Sequence, residues 1–144
     1  MSVIETSVDA DELVRRATEL QPLLARNAAQ AEADRRIPEE NIEAIREAGL
    51  FKLMIPKRLG GHETTIRTKL DVTAALGEAC GSTAWVVTLT NVCGWMVGLS
   101  CDQAQQDVWG ANPEARVCGV AREQRLQLRR PADQLLRVDG RLGD

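Results

Sequence analysis

Trp85, Thr88, Asn91 and Trp95 follow one another at spacings of three, three and four residues. At 100° per residue, that spacing sets two indoles, a hydroxyl and an amide, with Val92, along one side of a helix. Such groups stack and hydrogen-bond; they do not abstract protons or attack carbonyl carbons. Their chemistry would be the lining of a pocket that holds a polar ligand, because a buried hydroxyl, amide or indole needs a partner. The competing reading is ordinary core packing, with the indoles and hydroxyl bonded to neighbouring backbone. Nothing in the sequence marks a catalytic acid, base or nucleophile. His62, the only histidine, follows a Gly-Gly turn and is expected at the surface. Cys80, Cys93, Cys101 and Cys118 show no C-x-x-C spacing, and with one histidine they do not make a zinc site. Three of them lie among apolar residues, which predicts buried, reduced thiols.

The four candidates belong to the stretch that organises the chain. Ala79–Cys101 runs 23 residues without a charge. A membrane span needs about 20 apolar residues and a core about 30 Å thick. The helical part, Ala84–Leu99, would be only about 24 Å long at 1.5 Å per residue, and its flanks are acidic rather than basic. It reads as a core helix surrounded by protein, with Gly81–Thr83 as the break and N-cap before it. Its other side carries Gly94 and Gly98 beside Val87, a surface on which another helix could approach closely.

The preceding elements are amphipathic helices that must pack against it. Asp9 with Glu12 resembles a capping box, and Leu13, Ala17, Leu20, Leu24, Ala28 and Ala31 predict a helix over roughly 10–34, with Pro22 kinking it or marking its true start. A second helix starts at Pro38, has Glu39 and Glu40 in its first turn, faces Ile42 and Ile45 inward and stops at Gly49. Leu50–Ile55 is an apolar plug, turned by Pro56, Gly60 and Gly61. Thr64 or Thr65 caps a third helix over about 66–79, with Ile66, Leu70 and Ala74 inward. Gln103–Gly110 is a short helix after the central one. Arg116–Ala121 alternates as a strand does, Arg122–Gln134 is poorly patterned, and Asp139-Gly140 is a hairpin turn. These elements predict a mainly α chain of about five helices over 1–114. Residues 115–144 would be the incomplete start of a β domain, or a disordered tail.

Charge narrows the partners. The chain of 144 residues carries a formal net charge of -3, with acidic residues dominating its first 114 positions and arginines its last thirty. An acidic body excludes nucleic acid as the main partner, since phosphates require clustered Lys and Arg. The N-terminus lacks a basic-then-apolar leader, so cytoplasm is the expected compartment.

Arg36–Gly61, RIPEENIEAIREAGLFKLMIPKRLGG, and Leu76–Gly98, LGEACGSTAWVVTLTNVCGWMVG, together resemble the N-terminal helical domain of the acyl-CoA dehydrogenase-like flavoproteins. The combination of an R-x-P helix start, an E-A-G-L-F stop, a P-x-x-x-G-G turn and a G-S-T-A-W helix start carries the resemblance over roughly residues 10–120. Within that superfamily, GSTAWV and Ser100–Gly119 are more similar to the two-component flavin-dependent monooxygenases.

The resemblance implies reduced FMN or FAD delivered by a partner flavin reductase, dioxygen as co-substrate, and hydroxylation of an aromatic or polyketide-like small molecule, with no metal. It implies a homo-oligomer, a tetramer in full-length members, and no membrane partner. Trp85, Thr88, Asn91 and Trp95 would then face flavin or substrate. Asn112, where the chain turns toward the middle domain, would either approach the flavin or cap the short helix. Two other readings stay open: an acyl-CoA dehydrogenase oxidising an acyl thioester with FAD, and a non-catalytic helical remnant that only associates. Family members also have a middle β domain and a C-terminal helical bundle, so the sequence as it stands reads as truncated or frameshifted, without a complete active site.

Overall fold

A computed structural model of the chain describes residues 9–119 and the backbone of two short strands, 127–129 and 135–137. Five α-helices account for most of the described residues: α1 Ala10–Asp34, α2 Glu39–Glu47, α3 Ile66–Ala79, α4 Gly81–Gly98 and α5 Asp102–Trp109. The strands β1 Gln127–Arg129 and β2 Leu135–Arg137 pair antiparallel, with Leu128 opposite Leu136. The strand expected at Arg116–Ala121 is not formed over its described part, residues 116–119. Asp139-Gly140 lies outside the described residues.

Helix α1 has the expected bounds and runs through Pro22 without stopping. It buries Leu13, Ala17, Leu24 and Ala31, recurring on one face, and packs mainly along α3. There the Gln21 side chain donates to the Ala75 carbonyl at 2.8 Å. The capping box does not form: Asp9 makes no side-chain cap, and Glu12 turns to Arg15 and Arg16 instead. Those two guanidiniums hold the Glu12 carboxyl down to about 2.

Helices α3 and α4 are antiparallel neighbours separated by one residue, Cys80. Thr65 caps α3, its hydroxyl accepting from the Thr68 N–H at 3.2 Å. The inward face of α3, however, is Thr68, Val72, Ala75 and Leu76, with Lys69. Ile66, Leu70 and Ala74, expected inside, face solvent; Ile66 is 63% and Leu70 53% exposed. The sequence carries apolar residues on both sides of this helix, and the side presented to α1 buries Val72 and Leu76. Helix α4 begins at Gly81, so Gly81–Thr83 is its first turn rather than a break. Thr83 is buried and donates to Cys80 Sγ at 3.2 Å.

The small-residue face of α4 takes the plug, not another helix. Leu50, Phe51, Leu53 and Ile55 are buried, and the returning segment binds them by main-chain bonds from His62, Glu63 and Thr64 to Lys52, Ile55 and Leu53. A Cβ at Gly94 would lie 3.2 Å from Ile55 Cγ1, and one at Gly98 3.0 Å from Pro56 Cδ. At Gly61 it would meet the Ile55 carbonyl oxygen at 2.0 Å. The plug therefore depends on glycine at 61 for its close return.

Candidate ligand wall along the uncharged helix

The structure distributes the sequence candidates over different sides of α4. Trp85, in its second turn, is 63% exposed, and Trp95 is 41% exposed. Neither indole N–H meets a protein acceptor among the described residues. With Leu89 and Met96, also exposed, they leave the outer side of an uncharged helix open. Ile66 and Leu70 of α3 extend this apolar surface, since the α3–α4 pairing, set by Thr73 against Thr88 and Gly77 against Ala84, places them beside the C-terminal half of α4. A contiguous exposed apolar face of this kind marks a surface that another body covers or that a ligand meets.

Asn91 does not share that face. It is fully buried, and its carboxamide is engaged by the protein: Nδ2 donates to the Leu50 carbonyl at 2.8 Å and the Val87 carbonyl at 2.9 Å, while Oδ1 accepts from the Met54 N–H at 3.3 Å. Thr88 is half-buried, and its hydroxyl donates to Thr73 Oγ1 at 3.4 Å. Asn112 lies exposed past the end of α5. It caps no helix; Oδ1 accepts from the Glu114 N–H at 3.0 Å, closing a turn. Of the four candidates on α4, Trp85 and Trp95 alone are exposed with no side-chain hydrogen bond among the described residues.

His62 is half-buried rather than exposed. Its ring lies against Gly49, whose φ of 76° leaves no place for a side chain: a Cβ there would stand 2.7 Å from Nε2. Burial pushes the imidazole pKa below its ordinary value of 6.5, against the Gly49 backbone, with Arg16 and Lys52 adding to the lowering. The cysteines are all free; Cys80 is buried and Cys93 half-buried, but Cys101 and Cys118 are exposed, contrary to the expectation of buried thiols. Among the described residues there is no group of three His, Cys, Asp or Glu side chains that could hold a metal, and no helix is long and apolar enough to cross a membrane.

One feature of the wall has no signal in the sequence pattern. The segment after α5 returns across the helices because Trp109, buried, donates from Nε1 to the Ala115 carbonyl at 3.1 Å, and Lys52 pairs with Glu114. This puts the Arg116 guanidinium 5.2 Å from the centroid of the Phe51 ring. The hollow beneath it, between Phe51, Gly94 and Trp109, is about 20 Å³, room for about one water. Beside it a groove opens along Val86 and Thr90 of α4, floored by Ile37, Ile42 and Phe51 and edged by Arg36 and Arg116. It continues past Trp85 and Ser82 toward Arg35.

Residues 9–112 match the family model for the acyl-CoA dehydrogenase N-terminal domain. The oxygenase subunit HsaA of a flavin-dependent monooxygenase from Rhodococcus jostii (strain RHA1) is 35% identical over 104 residues, 72% of this chain and 27% of that protein. The oxygenase component of FADH(2)-dependent resorcinol hydroxylase from Rhizobium sp. (strain MTP-10005) is 35% identical over 107 residues, 74% of this chain and 26% of its own. The crystal structure of 3-HSA hydroxylase from Rhodococcus sp. RHA1 superposes with a TM-score of 0.72 at 35% identity, over 75% of this chain and 28% of that one. XiaF from Streptomyces sp., in complex with FADH2 and glycerol, does so with a TM-score of 0.71 at 34% identity, over 74% and 27%. The chain thus spans about a quarter of the length of these relatives.

Proposed function

Because the chain belongs to the acyl-CoA dehydrogenase N-terminal domain family, we propose that it forms the N-terminal helical domain of the oxygenase component of a two-component flavin-dependent monooxygenase, with α4 as one wall of the flavin and substrate cavity. The observation that carries this reading is an uncharged helix with its outer side bare and two indoles exposed on it, in a chain 35% identical to oxygenase components of flavin-dependent hydroxylases. That identity also favours hydroxylation over acyl thioester oxidation.

The residues present fit a planar aromatic group as a wall rather than as a closed cradle. Trp85 and Trp95 supply ring surface and free indole donors, whereas Asn91 and Thr88 are spent on Leu50, Val87, Met54 and Thr73. Reduced flavin, FMN or FAD, supplied by a partner reductase, would provide the oxygen-activating chemistry. The part played by this chain's own residues is to orient the rings and keep water from one side of them. Residues 115–144 lead, in this reading, into the middle β domain, and the assembled protein is a cytoplasmic homo-oligomer acting on an aromatic small molecule.

Anaerobic titration of the purified chain with reduced FMN and reduced FAD tests the wall directly. Saturable quenching of tryptophan fluorescence that is halved or more in Trp85→Phe or Trp95→Phe supports it. Quenching unchanged in both variants refutes the assignment of these indoles.

A further inference from the structure

We infer that the groove between α4 and the Arg36–Ile37 bend binds a planar aromatic acid, its ring plate lying on Ile37, Phe51 and Val86 and its carboxylate taken by Arg36 and Arg116. This goes beyond the flavin reading, since the occupant is an acid and its ring rests on Ile37, Phe51 and Val86 rather than on the indoles of Trp85 and Trp95.

Three observations join here. The groove is apolar on its floor and measures about 380 Å³, within the range of about 300–1,000 Å³ usual for small-molecule sites. The central carbon of the Arg116 guanidinium sits over the Phe51 ring, 5.2 Å from its centroid, and among the described residues the guanidinium has no carboxylate within 4.0 Å, a distance that defines an ion pair. Arg36, 80% exposed at its side chain, reaches Glu39 only at 3.9 Å. A guanidinium stacked on an aromatic ring keeps its N–H edge free, and that edge matches the two oxygens of a carboxylate.

The acids that face this groove do not neutralise it. Glu39 is the loose partner of Arg36, and Glu43, which feels Arg116, is bound closely by Arg46. Further along, Glu32 lines the groove together with Arg35. Thr90 adds a hydroxyl on the α4 side that makes no side-chain hydrogen bond among the described residues. An apolar slot with unpaired guanidinium at its rim selects a ligand that is flat at one end and anionic at the other. A neutral plate would gain nothing from the two cations, and a small anion would leave the slot unfilled.

The test is calorimetric titration of the chain with naphthalene-2-carboxylate and with naphthalene-2-carboxamide, which share a ring system and differ in charge. The acid is expected to bind about tenfold more tightly than the amide, with an affinity that falls as salt is raised. Arg116→Gln and Arg36→Gln should each erase most of that preference while leaving amide binding in place. Arg116→Lys should keep part of it, and Arg67→Gln, on the far side of α3 and paired with Asp71, should keep all of it. Thermal melts establish that the variants fold. Equal binding of acid and amide, a preference that survives both glutamine variants, or no binding of either compound because the chain's own segment or a second copy fills the groove would each overturn the inference. None of these results depends on flavin, so they leave the monooxygenase reading to its own test.

Discussion

Asn91 and Leu50 join α4 to the plug: the asparagine Nδ2, buried, donates to the Leu50 carbonyl at 2.8 Å across 41 residues of sequence. The same side chain accepts from Met54 and donates to Val87, so a single amide satisfies both ends of the five-residue loop Leu50–Met54, which carries three buried apolar side chains, Leu50, Phe51 and Leu53. Removing it leaves a buried carbonyl and a buried N–H without partners. Asn91→Ala is therefore expected to lower stability by about 2–4 kcal/mol, read as a shift in the urea midpoint with an unchanged slope. A loss under about 0.5 kcal/mol would show that the bridge is dispensable.

Glycine at 61 and glycine at 94 should respond very differently to alanine. The Gly61 Cβ would overlap the Ile55 main-chain oxygen at 2.0 Å, whereas the Gly94 Cβ would press on the Ile55 side chain, at 3.2 Å from Cγ1 and 3.5 Å from Cδ1. Gly61→Ala is expected to cost about 3 kcal/mol or more by forcing the plug apart. Gly94→Ala should stay within about 1 kcal/mol of wild type, since about 1 kcal/mol of helix propensity is gained against a mild clash. Thermal denaturation of the two variants side by side decides this.

His62 should make the fold sensitive to mild acid. Its pKa is lowered in the folded chain by burial and by Arg16 and Lys52, so the unfolded chain binds the proton more readily. Stability is then full above the ordinary value of 6.5 and falls as pH drops through it toward and below the folded pKa. Urea unfolding at pH 7.5, 6.5 and 5.5 should show a decline that His62→Gln removes. Because the chain has one histidine, a decline that persists in the variant would assign it elsewhere.

The exposed face of α3 and α4 should be separable from the core. Leu70→Ser and Ile66→Ser remove apolar surface that the described fold leaves in solvent, and each should change stability by no more than about 0.5 kcal/mol. Binding of a solvatochromic dye to the chain should fall in the double variant. Destabilisation by more than about 2 kcal/mol would mean that these side chains are packed.

Much of this architecture was legible in the residues. The 3.6-residue period of Leu13, Ala17, Leu24 and Ala31, the Pro38 and Thr65 starts and the Gly49 stop give α1 to α3 within a residue or two, and the charge-free run gives α4. The facing of α3 was not legible, because Ile66–Leu70–Ala74 and Val72–Leu76 are both apolar stripes and only the packed partner chooses between them. The bond from Asn91 to the plug is hidden for a related reason: on a wheel the residue borders two faces, and the carbonyl it meets lies 41 residues away. Arg116 on Phe51 is a contact made by the path of the chain after Trp109, which no local pattern encodes.

Oxygen labelling tests whether α4 walls the cavity of a flavin-dependent hydroxylase, as proposed above. Protein from the native source, supplied with reduced FMN or FAD by an NADH-dependent flavin reductase under isotopically labelled dioxygen, is given a panel of phenols, and the products are weighed by mass spectrometry. A hydroxylated product carrying one labelled oxygen atom is expected, with its yield lowered at least tenfold in Trp85→Ala. Flavin oxidation with no labelled product from any phenol, or oxidation of an acyl thioester in its place, would contradict it.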